Sequence, residues 1–283
     1  MKSIQLPLSQ PGLYVSVHEV SYRTVGGRDL KALIYRPQGR GPFPAVVCVH
    51  GGAWVSGDRT ATQGFADLVA ACGIVVMAID FRMAPRDPYP SSLVDINYAT
   101  RWLKHHAAEL SVDPALVGGL GVSSGGHLIL LSALRPNDER YASAPLEGQD
   151  QADARLAFVV TCSGVLDPLA RYRMARENGD RDILACHNAY FGSEAAMAEA
   201  SPPLILERGE AVDLPPALFF QGGDDPRLPH DTAQRMADLY AAAGGGASAV
   251  IYSRTGHALG EWGRPNILDL LQRVSALIGV VAS

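Results

Sequence analysis

Ser123 lies in the run Gly121-Val122-Ser123-Ser124-Gly125-Gly126-His127-Leu128. Before it comes the short apolar stretch Leu116 to Leu120, and after it Leu128 to Leu134, a helical run ended by Pro136. Glycines two before and two after a serine give room for a tight strand-to-helix turn that lifts the hydroxyl above a sheet edge. A serine hydroxyl is a weak nucleophile at neutral pH and needs a base, usually a histidine, itself oriented by a carboxylate. Four histidines lie downstream: His127, His187, His230 and His257. His127 falls one turn into the elbow helix, where packing or capping is expected. His187 lies in an irregular region, and His230 stands at a helix start. His257 follows the last strand-like run in a loop beside Gly256, and is the expected base.

The carboxylate should follow the penultimate strand-like run. Gln221-Gly222-Gly223-Asp224-Asp225-Pro226 does so and offers two, Asp224 and Asp225. Attack by the serine on a carbonyl also builds negative charge that N–H donors must meet. Ser124 supplies one such N–H, and the glycines of His50-Gly51-Gly52-Ala53-Trp54, directly after an apolar run, free that loop's backbone to turn N–H groups inward. The Ser124 hydroxyl is expected to be dispensable. Trp54 and Phe191 are expected to contact substrate.

Among the elements that must carry these groups, Val15 to Arg23 and Lys31 to Arg36 read as strands joined by Gly26-Gly27-Arg28-Asp29, a hairpin signal. Ala45 to Val49, Ile74 to Asp80, Leu156 to Thr161, Ala217 to Phe220 and Ala249 to Tyr252 are continuous apolar runs, as strands covered on both faces require. Helices are expected over Thr60 to Cys72, Ser91 to Leu110, Asp231 to Ala243 and Ile267 to Val280. Strands alternating with helices after a hairpin imply an eight-stranded, mostly parallel sheet with helices on both faces. Ligands of such sheets bind beyond the carboxyl ends of the strands. The stretch from Asp167 to Leu214 is dense in charge, Pro and Gly and reads as an irregular excursion over that edge within one domain spanning 1–283. Its apolar residues, Leu184, Tyr190, Phe191 and Leu204, suit the wall of a small pocket better than a face for lipid.

With 283 residues, 47% of them hydrophobic, the chain can bury a large core. A formal charge of −5 gives no basic footprint for nucleic acid or anionic membrane. Residues 1–16 have no apolar core of a secretion signal, and no apolar run reaches 18 residues, so a cytoplasmic protein off the membrane is expected. The cysteines Cys48, Cys72, Cys162 and Cys186 show no metal or redox spacing, so free thiols, no cofactor and no metal are expected. The protein is expected to be a monomer or a homodimer.

These motifs resemble the α/β-hydrolase superfamily. Within it they resemble the esterase branch of hormone-sensitive-lipase-like, bacterial feruloyl-esterase-like and kynurenine-formamidase-like proteins, over nearly the whole chain from Val17. His50-Gly51-Gly52-Ala53-Trp54 is similar to the His-Gly-Gly-x-Trp/Phe motif, and Phe81-Arg82-Met83-Ala84-Pro85 with Tyr89-Pro90 to Tyr-Arg-Leu-Ala-Pro…Phe-Pro. Ala200-Ser201-Pro202, Leu214-Pro215-Pro216 and Gly222-x-x-Asp225-x-x-Leu228-Pro229 are similar to the segments that follow. That last register implies Asp225 as the acid. The resemblance implies Ser123, Asp225 and His257 as catalytic residues, with oxyanion N–H groups from Gly52, Ala53 and Ser124. Ala53 stands where the lipase-like form has a third glycine, and Val122 where an aspartate is common. The short N-terminal region is expected to lack the lipase-like two-helix cap, which places the likeness on the feruloyl-esterase-like side. The expected function is a serine hydrolase of short-chain carboxylic esters. Alternatives are an aryl formamidase or amidase, and a non-catalytic ligand-binding protein on the same fold, such as the plant gibberellin receptor. Against the last stand the intact Ser123, Asp225 and His257.

Overall fold

The computed structural model describes residues 15–146 and 153–283. The N-terminal stretch read for a leader and cap, up to residue 14, lies outside the described residues. So does the middle of the polar stretch after Pro136, at 147–152.

Gly26 and Gly27, both at positive φ (57° and 74°), close the expected hairpin between β1 (Val15–Val25) and β2 (Arg28–Pro37). The apolar runs become β3 (Phe43–Val49), β4 (Val75–Ile79), β5 (Val112–Val122), β6 (Val159–Cys162), β7 (Ala217–Gly222) and β8 (Ala247–Tyr252). They form one sheet in the order β1-β2-β4-β3-β5-β6-β7-β8. Pairing is antiparallel from β1 to β2 and from β2 to β4, and parallel from β4 onward.

The continuous hydrophobicity of these strands follows from cover on both faces. Along β3, Val47 and Val49 join one apolar cluster while Val46 and Cys48 join the other. The first cluster holds Leu93, Ile96 and Leu103 of α2 (Ser91–His105), Leu128 to Leu131 of α4 (Ser124–Leu134), and Met236 and Tyr240 of α9 (Thr232–Ala242). The second holds Phe65 and Val69 of α1 (Gln63–Ala71), and Leu270, Val274 and Ile278 of α10 (Gly263–Val281). The helix expected over Ser91 to Leu110 is broken at His106, whose φ and ψ of −90° and 15° leave the helical basin, and only the turn α3 (Ala107–Leu110) follows.

The excursion from Asp167 corrects the expectation of irregular structure. It folds into α5 (Pro168–Glu177), α6 (Arg181–Phe191), α7 (Glu194–Glu199) and α8 (Pro202–Glu207). The polar residues that suggested a loop are helix starts. Asp167 accepts a hydrogen bond from Ala170 N–H at 3.0 Å, Asp180 from Ile183 N–H at 3.0 Å and Ser193 from Ala196 N–H at 3.2 Å. Pro168 and Pro202 occupy first helical positions, where the missing N–H costs nothing. Leu169, Tyr190, Phe191, Met197 and Ile205 then bury into the first cluster.

Candidate active site

Four loops at the carboxyl edge of the parallel strands converge. β5 ends at Val122 and delivers Ser123, whose φ of 53° and ψ of −121° are sparsely populated for a residue with a side chain. The bond from Ser123 N–H to Cys162 O, at 2.9 Å, helps hold that turn against β6. The flanking glycines are required by close approach. A Cβ on Gly121 would lie 2.4 Å from Gly125 O, and one on Gly125 only 2.1 Å from Val49 O. The start of α4 is thereby pressed against the end of β3, which brings the loop after β3 alongside Ser123. A Cβ on Gly51 would lie 3.1 Å from that of Ser123.

β7 delivers Asp225, 1% exposed, and β8 delivers His257. His257 Nε2 lies 2.9 Å from Ser123 Oγ and its Nδ1 lies 2.7 Å from Asp225 Oδ2. The second Asp225 oxygen accepts from Arg227 N–H at 2.8 Å, so the carboxylate is fixed at both ends. The two loops are also tied to each other, Asp224 N–H donating to Thr255 O at 3.0 Å and Gly223 N–H to Tyr252 O at 2.8 Å. Asp224 itself turns its side chain to solvent. The structure therefore brings Ser123, Asp225 and His257 together and leaves Asp224 outside. A donor hydrogen on Nδ1 toward Asp225 leaves the Nε2 lone pair for the serine proton, the arrangement a general base needs.

Gly52 and Ala53 line the same cavity as Ser123 and His257. Ala53 and Trp54 hold positive φ (51° and 64°). Among the described residues neither Gly52 nor Ala53 N–H has a protein acceptor. Ser124 N–H opens α4 and has no helical carbonyl before it. The Ser124 hydroxyl, expected to be idle, accepts from Trp54 N–H at 3.3 Å inside the core and so braces the glycine-rich loop on the elbow.

Two expectations are corrected. Trp54 and Phe191 were to contact substrate, yet neither lines the cavity of about 580 Å³ beside Ser123. Trp54 is 1% exposed, stacks on Tyr190 with centroids 5.5 Å apart and packs edge-on with Phe191 at 5.1 Å. Its Nε1 donates to His127 Nδ1 at 3.2 Å, and His127 Nε2 donates onward to Ala200 O at 2.9 Å. Burial lowers the His127 pKa to about 4, so this relay is neutral and structural, as its place in the elbow helix suggested. The aromatic cluster anchors the glycine-rich loop to α6 instead of greeting a ligand. Whether an aromatic ring lines a cavity or packs beneath it depends on tertiary contacts that its type alone does not reveal.

The cavity walls are Val55, Thr62, Ala258 and Leu259 on its apolar sides, with Arg171, Cys186 and Arg227 from the α5–α6 region and the loop after β7. Arg171 belongs to the charge-dense stretch that follows Asp167, yet it is buried. Pro168 and Ala175, three before and four after it, share its side of α5 and are buried with it. Among the described residues no group of three or more His, Cys, Asp or Glu side chains is placed to hold a metal, and no helix is long and apolar enough to cross a membrane.

The family model described as BD-FAE matches residues 33–239, most of the chain. Among curated proteins of Mycobacterium tuberculosis, "Probable carboxylic ester hydrolase LipM" is 32% identical over 231 residues, 80% of this chain. The chain spans about half of LipM's length (52%). Carboxylesterase NlhH is 30% identical over 240 residues, covering 83% of this chain and 72% of NlhH. Among solved structures, the thermophilic esterase Est2 of Thermogutta terrifontis superposes with a TM-score of 0.72 at 27% identity, covering 95% of this chain and 93% of that one. With its motifs, its sheet order and these matches agreeing, the chain belongs to the BD-FAE family and has the fold of the α/β-hydrolase esterases.

Proposed function

We propose that the protein is a serine carboxylic ester hydrolase that acts on short-chain esters through an acyl-enzyme. The observation that carries this reading is the unbroken line Ser123 Oγ–His257 Nε2–His257 Nδ1–Asp225 Oδ2, at 2.9 and 2.7 Å, opening on a cavity with unpaired N–H donors.

In the first half-reaction Ser123 Oγ attacks the ester carbonyl while His257 Nε2 takes its proton. Asp225 stabilises the imidazolium so formed and holds the ring in place. The carbonyl oxygen becomes an oxyanion and accepts from Gly52, Ala53 and Ser124 N–H, which are fixed before reaction and so cost no reorganisation. Collapse of this intermediate breaks the ester C–O bond, His257 passes its proton to the departing alcohol, and the acyl group stays on Ser123. Water, deprotonated by His257, then repeats the attack and releases the acid. We also propose a cytoplasmic location, supported by four cysteines that are all free thiols.

The size and walls of the cavity favour short acyl groups. Each methylene gains about 0.8 kcal/mol only where apolar wall remains to receive it, and at about 580 Å³ with two arginines among its walls that supply ends early. Est2, the solved relative, has been captured with propionate and with butyrate bound. We expect kcat/KM for 4-nitrophenyl esters to peak between acetate and butyrate and to fall at least about tenfold by decanoate. A profile that climbs through palmitate, or an N-formyl anilide cleaved faster than every ester, contradicts this assignment.

A further inference from the structure

One wall of the cavity carries a charge that nothing in the protein uses. Arg171, in the first turn of α5, is only 2% exposed, yet it forms no ion pair among the described residues. Its Nε donates to Arg227 O at 3.1 Å, while its Nη1 is buried with no partner. The carboxylates near enough to influence it, Asp225 and Asp180, are committed elsewhere, Asp225 to His257 and Arg227 N–H and Asp180 to the N-terminus of α6. Arg227, the other cation on this wall, lies close enough to repel it, and its side chain pairs with no carboxylate among the described residues. Burial and that repulsion lower the Arg171 pKa to about 10, which leaves it a cation at neutral pH.

A buried guanidinium beside a second one, with no counter-ion and with a donor unspent, is costly unless something meets it. Arg171 and Arg227 line the same cavity as Ser123 and His257. A guanidinium presents a planar fork of donors that matches a carboxylate. We propose that Arg171, helped by Arg227, binds a carboxylate carried by the substrate, so that the preferred ester is an anionic one. This rests on the esterase reading above and narrows its substrate class. The anionic group belongs either to the acyl part, as in a dicarboxylic acid monoester, or to the alcohol part, as in an ester of a hydroxy acid.

Two matched pairs of esters separate these sources. Monomethyl glutarate against methyl pentanoate puts the charge on the acyl side, and 4-acetoxybenzoate against 4-tolyl acetate puts it on the alcohol side. The charged-to-neutral ratio of kcat/KM is measured for wild type, Arg171→Met, Arg171→Lys and Arg227→Met. In one pair wild type should favour the charged ester, with a preference that weakens as salt rises. Arg171→Met should cut that ratio by about tenfold or more, Arg171→Lys should keep more of it, and Arg227→Met should cut it by about threefold. Should Arg171→Met fail to fold, the Arg227→Met ratio and the salt dependence carry the test. Preference for the neutral ester in both pairs, or a ratio that survives Arg171→Met, overturns the inference. Wild-type protein idle on all four esters overturns the hydrolase reading instead. The anion site is then decided by whether glutarate raises the melting temperature of wild type and not of Arg171→Met.

Discussion

Ser123→Ala should lower kcat on 4-nitrophenyl butyrate by about four to six orders of magnitude, the cost of losing the nucleophile of a serine triad. The fold should survive, because the Ser123 side chain bonds only to His257 and its strained backbone is held by N–H and C=O contacts that alanine keeps. Ser124→Ala makes the informative contrast. Its hydroxyl takes no part in the chemistry but accepts from the buried Trp54 N–H. Removing it leaves that donor unsatisfied, at about 1–3 kcal/mol, and loosens the loop that carries Gly52 and Ala53. Ser124→Ala should therefore melt at a lower temperature and keep kcat within about tenfold of wild type. Kinetics and thermal denaturation of the two variants decide between them. A dead Ser124→Ala beside an active Ser123→Ala contradicts the register of the elbow.

The adjacent aspartates should differ almost as sharply. Asp225→Asn is expected to lower kcat by about 10³–10⁴-fold. An amide nitrogen cannot accept from His257 Nδ1, and an amide oxygen, though it can, carries no charge to stabilise the imidazolium. The site is 1% exposed, so no water substitutes for the lost carboxylate. Asp224→Asn should stay within about twofold, since its side chain faces solvent and its backbone N–H, which bonds Thr255 O, is retained. Steady-state kcat for both variants is the measurement, and equal losses at the two positions contradict the assignment of Asp225.

The parts of this architecture that were legible in sequence are those whose physics is local. A strand buried on both faces must be continuously apolar, so Ala45 to Val49 and Ala217 to Phe220 announced themselves, and the loops after them had to hold the polar groups. The glycines around Ser123 mark a turn that no side chain would fit, as their contacts with Gly125 O and Val49 O make plain. The choice between Asp224 and Asp225 was not local. Both follow β7, and only the family register separated them before the distance to His257 was seen. The α5–α8 region was misread because its caps, Asp167, Asp180 and Ser193, and its prolines at first helical positions share the composition of a loop. Trp54 and Phe191 leave the cavity and Arg171 lines it for a tertiary reason: α5 and α6, whose sequence has the composition of a loop, carry or contact all three.

The central claim is that Ser123 is a nucleophile activated by His257, and its most direct test is covalent capture. Wild-type protein treated with a fluorophosphonate and examined by intact mass and peptide mapping should gain one adduct, on Ser123. Ser123→Ala should gain none, and His257→Ala should label far more slowly. A wild-type protein that stays unlabelled while folded, or an adduct that persists in Ser123→Ala, contradicts the account.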